Sequence, residues 1–483
     1  MFSASSATIL SSAETTISPR RRGIARLAAS VVASGLVMAG ALVGAGSAVA
    51  DEAPQHQGGA AAVLDGLKTY DRAVLHVNGK DEPVPAGLFE MTVDGGGKLK
   101  TYCIDINNPT QDQAKYLETP WNQTSLGSNK NAGKIRWILE HSYPQVDDLA
   151  ALARQAGTGP LTEKTAAAGT QVAIWRYSDD ADVDAADSQA EKLADWLEQN
   201  AVDQAEPKAS LALDSAAVSG KSGERLGPVT VRTNASQVSV TPPVDAASGV
   251  KVTDKSGKPV TAAANGAELY FDVPAGTTDG SASLTVQATT SVPVGRAFAG
   301  VTKSQTMILA GSSESTVSAT ATATWAKQGA IPAVSAKKNC AKGGVDVTAS
   351  NTGDEAFTFE LAGAEHTIEA GTSETVTVPV GEDQAYDFTI TGPGGFSKTF
   401  KGVLDCKTSG SSTSGTGTDT QTGGDKPAPA TTGGGSTGGS GDLAETGGSS
   451  ATPIIAGVAI ALVVVGGGAV FFLRKRKTQS SAQ

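Results

Sequence analysis

Apolar residues recur at every second position through much of this chain, and at helical spacing in only one stretch of it. The groups Val345/Val347, Phe357/Phe359/Leu361, Val376/Val378/Val380 and Tyr386/Phe388/Ile390 alternate with polar residues and are separated by Gly, Asn and Asp. A two-residue period turns one face of each segment inward, so these read as half-buried antiparallel strands of a small sandwich. Val229/Val231, Val238/Val240, Leu269/Phe271/Val273 and Met307/Leu309 repeat the pattern upstream, with Thr and Ser outward and a hairpin turn expected at Lys255-Ser256-Gly257-Lys258. No helical period interrupts that region, which reads as a second sandwich serving as a spacer.

The stretch before it mixes the two periods. Strands are expected at 73–77, 88–93 and 99–106, joined by Gly-rich turns of which Asp94-Gly95-Gly96-Gly97 is the clearest. Helices are expected at 131–142, 161–177 and 187–200. In the last of these Asp187 can cap the start, while Leu193, Trp196 and Leu197 form one apolar face.

The two ends are of another kind. Arg20, Arg21, Arg22 and Arg26 precede an uncharged Ala/Val/Leu/Gly run closing in Ala48-Val49-Ala50, the pattern of a secretory signal cleaved between Ala50 and Asp51. Residues 454–473 carry no charge and would span about 30 Å as a helix, enough to cross a bilayer. Arg474, Lys475, Arg476 and Lys477 follow and hold the C-terminus in the cytoplasm. Residues 408–442 are almost wholly Ser, Thr, Gly and Pro, too poor in apolar surface to repay ordering, and read as a flexible wall-spanning linker.

The expected architecture is therefore multidomain. A signal peptide (1–50) precedes a mixed α+β domain (51–206) and two all-β, Ig-like sandwiches (207–329 and 330–407). The linker (408–442) and a C-terminal segment with its transmembrane helix (443–483) complete it. The formal charge of −11 argues against nucleic acid as a partner.

Three cysteines are present. Cys340 and Cys406 bracket the last sandwich, and in an exported protein their simplest use is a disulfide. Cys103 is left over. It stands in Tyr102-Cys103-Ile104-Asp105, and sixty-eight positions later Gln171 stands in Thr170-Gln171-Val172-Ala173-Ile174-Trp175. A thiol and a carboxamide are the two halves of a thioester. Neither a metal site nor a cofactor is expected: Cys340 and Cys406 have no Cys or His at ligand spacing. The acidic run Asp179, Asp180, Asp182, Asp184, Asp187 lacks the glycine and glutamate of an EF-hand loop and reads as a solvated turn.

These motifs carry two resemblances. Leu443-Ala444-Glu445-Thr446-Gly447, followed by the apolar span and basic tail, resembles the L-A-x-T-G sorting signal of actinobacterial surface proteins. That implies cleavage after Thr446 by a sortase and transfer of the threonyl carboxyl to cell-wall peptidoglycan, leaving the protein at the cell surface. The Y-C-I-D and T-Q-x-A-I-W motifs, over about residues 60 to 200, resemble the thioester domain of Gram-positive surface adhesins. The resemblance implies a bond between Cys103 and Gln171, formed with loss of ammonia, and covalent attachment to an amine-bearing target. Tyr102, Trp137, Trp175 and Tyr177 are candidates to keep water from it. Two other readings stand beside this one. Cys103 is a small buried hydrophobe in a structural or non-covalent coat protein, or it is an enzyme nucleophile, for which His76 and His141 are the histidines available within the domain.

Overall fold

The computed structural model describes residues 58–243 and 249–408. The expected signal peptide with its Ala50/Asp51 cleavage point, the linker from residue 409 onward, the sorting signal from Leu443 to Gly447 and the span at 454–473 lie outside the described residues. Among the described residues no helix is long and apolar enough to cross a membrane.

The first body is built on β1 (Ala61–Val77), β2 (Lys80–Val93), β3 (Lys98–Cys103), β4 (Lys115–Thr119) and a short β5 (Val183–Ala185). Two further strands complete it from far downstream, β6 (Ala297–Gly300) and β7 (Met307–Ser312). The order is β2-β3-β7-β6-β4-β1-β5, and β1 also pairs with β2. The ring β1-β2-β3-β7-β6-β4 therefore closes on itself with every pairing antiparallel, which removes the exposed edges that an open sheet would present. Asn78 and Gly79, both at positive φ, make the two-residue turn between β1 and β2. Asp94 to Gly97 turns β2 into β3, as the glycine run implied.

Met307 and Leu309 thus do not belong to the sheets of the spacer sandwich, where the alternation alone put them. Their strand pairs with β3, Met307 opposite Cys103. Alternation reports a half-buried strand but not its partner, and no local signal marks the departure of residues 292–313 from one sheet to another.

Four helices accompany it among the described residues, α1 (Ala132–Glu140), α2 (Leu149–Ala156), α3 (Glu163–Ser178) and α4 (Ser188–Asn200); α3 lies against β1, β2 and β3, α1 and α4 pack on α3, and α2 packs on α4. Three match the expected segments within two residues. α2 was not anticipated, although Asp148 caps its first turn and Gly157 ends it in the left-handed conformation. α3 is buried without interruption from Ala166 to Trp175. Its Ala166-Ala167-Ala168-Gly169 run makes that possible, because small side chains let neighbours approach; a Cβ at Gly169 would collide with the carbonyl oxygen of Ala190 on α4. Thr162 and Thr165 form a reciprocal capping box at its start. Asp187 caps α4, as expected.

The second body is a two-sheet sandwich. One sheet holds Leu211–Asp214, Arg225–Thr233, Lys251–Thr253 and Glu268–Asp272, and the other Ala217–Lys221, Val238–Thr241, Ala262–Ala263, Gly280–Ser291 and Glu314–Ala326. The last two strands pair over twelve positions, and it is between them that the chain leaves to contribute β6 and β7. One continuous apolar core accordingly runs through both bodies, from Ala60 to Trp325. The third body, with strands from Pro332–Asn339 to Ser397–Val403, has a separate core around Val345, Phe357, Ile390 and Phe400. A disulfide joins Cys340 to Cys406 at its margins.

A buried ion pair sits where the first body meets the second. Arg296, at the entry to β6, donates to Glu118 of β4 at 2.9 Å, to Glu206 at 2.6 Å and to the Pro207 carbonyl at 3.1 Å. Glu118 in turn accepts from the backbone of Ala60 and Ser210 and from the Ser210 hydroxyl. Both side chains are at most 4% exposed, so removal of one partner strands the other charge away from water. Arg296→Ala or Glu118→Ala is expected to cost about 3–5 kcal/mol, read as a lowered urea midpoint, whereas Arg232→Ala, whose pair with Asp214 is exposed, should shift it by less than about 1 kcal/mol.

Candidate functional site

Cys103 ends β3 and Gln171 stands midway along α3, and both are completely buried. Their contact has a backbone cause. β2 pairs with β3 only as far as Phe89 opposite Thr101, so on that side the amide and carbonyl of Cys103 have lost their strand partner. A buried pair of this kind must be satisfied. The Gln171 carboxamide does so: its Oε1 accepts from the Cys103 N–H at 3.0 Å, and its Nε2 donates to the Cys103 carbonyl at 2.8 Å. On the other side Met307 pairs with Cys103, and Ile104 N–H donates to the Thr306 carbonyl at 3.0 Å.

These two hydrogen bonds fix the carboxamide plane against the residue that carries the thiol. The thiol sulfur accepts from the Asp105 N–H at 3.2 Å. A second side chain of α3's end, Asp179, accepts from the Ile106 N–H at 3.1 Å. α3 therefore grips residues 103–106 at two points, through Gln171 and Asp179. Asp179 departs from the solvated turn expected for the acidic run. It is buried, its Oδ2 accepting from the Ser178 hydroxyl at 2.6 Å. Asp184, by contrast, is exposed and pairs with Arg176 and His76.

The electrostatics follow from burial. Desolvation pushes the Cys103 thiol well above its usual range, and the charges of Asp179 and then Asp105 push it further. The thiol is thus held protonated at neutral pH. Asp179 itself is pushed up to about 7, again by burial first, against the opposing hydrogen bonds from Ser178 and Ile106. The indole N–H of Trp175 is buried without a hydrogen-bond partner, and it opposes, weakly, the rise of the Cys103 thiol.

Of the aromatic residues considered as shields, Tyr102 and Trp175 are at the site. Tyr102 is fully buried, its hydroxyl donating to the Tyr143 carbonyl at 2.7 Å. Trp137 is stacked on His141 at 3.9 Å and Tyr177 donates to the Glu198 carbonyl at 2.7 Å, so both are engaged elsewhere. The histidines are engaged elsewhere too. Both ring nitrogens of His76 face carboxylates, Asp81 at 2.8 Å and Asp184 at 3.3 Å, and His141 Nδ1 faces the Trp137 carbonyl. A Cys–His nucleophile pair is not formed with either.

Residues 100–203 match the family model described as "Thioester domain", a span that contains Cys103, Gln171 and Asp179. Residues 332–403 match "Bacterial phospholipase C, C-terminal domain". No curated protein matches the chain. Among solved structures, the Bacillus anthracis TIE protein is 15% identical at a TM-score of 0.26, covering 71% of this chain and 63% of that one. The thioester domain of the Enterococcus faecium TIE86 protein is 16% identical, also at 0.26, covering 56% of this chain and 97% of that one. The chain thus spans under two thirds of the length of the first, and TM-scores at this level do not carry a fold across.

Asp179 binds more protons folded than unfolded between its ordinary carboxylate range and about 7, so its contribution to stability is full at low pH and is lost as pH rises through that window. The melting temperature should fall between pH 5 and pH 8. Asp179→Asn should flatten that decline, as followed by circular dichroism.

Proposed function

We propose that this chain is a cell-surface protein that fixes itself covalently to an amine-bearing target through a thioester between Cys103 Sγ and Gln171 Cδ. The observation that carries the reading is the pair of hydrogen bonds that locks the Gln171 carboxamide against the backbone of Cys103 in a fully buried setting. An amide is a poor electrophile, and fixed proximity is what compensates, since effective molarities for well-oriented partners are very large.

Closure balances as follows. The thiol proton passes to Asp179, the carboxylate that weighs most on the thiol, and Sγ adds to Cδ. Negative charge develops on Oε1, where the Cys103 N–H already donates, the geometry of an oxyanion hole. Collapse expels Nε2, which takes the proton held by Asp179 and leaves as ammonia. A carboxyl near neutrality suits both halves of this exchange, because it accepts and releases a proton at comparable cost. The product is an activated acyl group whose carbonyl keeps its Cys103 N–H donor. An incoming primary amine attacks Cδ, the carbon–sulfur bond breaks, the proton lost by the amine goes to the thiolate, and an amide remains. The event occurs once per molecule, so the chain is a reagent and not a catalyst.

Export by the signal at 1–50, sorting at Leu443 to Gly447 and linkage to peptidoglycan through Thr446 complete the proposal, placing the reactive domain outward from a wall anchor. The second reading, a structural coat protein with a permanent free thiol, draws on the hydrogen bond that the Cys103 sulfur already accepts from Asp105.

Intact mass separates the two. The purified chain should weigh one ammonia less than calculated for its residues with the Cys340–Cys406 disulfide formed, Cys103→Ala should show no such deficit against its own calculated mass, and methylamine should convert the deficit into an adduct on Gln171. Asp179→Asn should slow the appearance of the deficit by about 10²-fold or more while the fold is retained. Full sequence mass with an alkylatable Cys103 in denaturant would leave the coat-protein reading.

A further inference from the structure

Capture of an amine leaves one proton to be placed. A primary amine that bonds to Gln171 Cδ sheds a proton as the carbon–sulfur bond breaks, and in open solution water takes it. Cys103 and Gln171 are both completely buried, so a protein group has to serve instead. His76 and His141 are engaged elsewhere. Asp179, which serves the closing step, carries a donor on each oxygen, the Ile106 N–H at 3.1 Å and the Ser178 hydroxyl at 2.6 Å.

Asp105, the last residue of the Tyr102-Cys103-Ile104-Asp105 motif, differs. It is 1% exposed, and its backbone N–H already donates to the Cys103 sulfur at 3.2 Å, which sets the residue directly against the reacting group. Asn108 donates to its Oδ2 at 2.6 Å and holds the carboxyl in place. Nothing donates to its Oδ1. A buried acceptor in that condition is costly and rare in native folds.

The charged and titratable groups around Asp105 are Asp405 and Asp383 of the third body, Asp179 at the end of α3, the Cys103 thiol and the Tyr116 hydroxyl of β4. Burial first, then the charge of Asp405, push the carboxyl up to about 8; the Asn108 hydrogen bond opposes the rise, and Asp179 and Asp383 add to it. An ordinary carboxylate is a weak base toward an alkylammonium, whereas one near 8 lies much closer to it in proton affinity.

We propose that Asp105 is the general base of amine capture: Oδ1 accepts the proton of the incoming primary amine as its nitrogen bonds to Gln171 Cδ, and that proton passes to Cys103 Sγ when the carbon–sulfur bond breaks. One amide and one thiol replace one thioester and one amine. Burial keeps the thiol protonated, which makes Sγ the final holder of the proton. The inference rests on the thioester reading and adds to it the group that admits the nucleophile.

The test uses the purified full chain in mild detergent. Its ammonia deficit is read first by intact mass, and rates are expressed per thioester-bearing molecule. Methoxyamine, a primary amine that stays uncharged across the range, is added between about pH 6 and about pH 9.5, and its adduct on Gln171 is followed by mass. In the parent the rate should rise with pH and level off above about 8. Asp105→Asn should lose that rise and fall about 10²-fold or more below the parent's plateau. Asn108→Ala removes the hydrogen bond that opposes the raised carboxyl, so its rise should move to higher pH. This second variant reads the proposal even where Asp105→Asn forms no thioester. Asp214→Asn, in an exposed ion pair of the second body, should follow the parent. A parent profile with no rise near 8, Asp105→Asn reacting with the parent's rate and pH dependence, or an unmoved profile in Asn108→Ala would overturn the inference and leave the thioester reading standing. A parent with no ammonia deficit would end that reading, and this one with it.

Discussion

The interaction on which the rest depends is a backbone debt. Where β2 stops pairing with β3, one residue is left with an amide and a carbonyl facing a dry interior, and a glutamine from the neighbouring helix meets both. The match is possible because a primary carboxamide offers one donor and one acceptor in one plane, the same pattern that a strand would have offered. That requirement sets the depth of α3 in the domain, and the depth explains its small residues, its continuous burial and the close crossing with α4 at Gly169. A helix of Leu and Ile could not bring position 171 so near a strand.

The same enclosure sets the chemistry. With no exposed surface at either residue, charge is expensive, and the thiol and its acidic neighbours all shift toward their neutral forms. Reactivity in such a place cannot come from a freely ionised thiolate. In the proposed chemistry it would come from alignment, from a buried carboxyl that can take and return a proton, and from a fixed N–H where negative charge would appear. On the proposed reading, burial also means that an amine from outside would reach the carbonyl only when covering groups give way.

Much of this was legible in the sequence. The alternation of Val, Phe and Leu identified many of the strands but not the long Ala/Ser/Thr-rich pair at Gly280–Ser291 and Glu314–Ala326. The motif around Gln171 fell on a helix and Cys103 at the end of a strand, and the Cys340–Cys406 disulfide was expected from the position of the two cysteines at the margins of the last sandwich. Some of what was missed had a signal. Asn78-Gly79 marks a two-residue hairpin that would have extended β1 and β2 toward each other, and Asp148 with Gly157 brackets α2. Other features had none. The exchange of 292–313 into the first sheet, the Arg296–Glu118 pair and the burial of Asp179 within a run of acids depend on contacts between residues far apart in the chain, about which composition and period are silent.

Because β6 and β7 are inserted between two strands of the sandwich, the polypeptide passes between the first and second bodies three times, near 206–210, 291–297 and 312–314. Two bodies on one string can swivel; three strings forbid it. A single nick by a protease in any one of these crossings would leave the pieces clasped by the other two, and a pull applied at the far end would be shared among them.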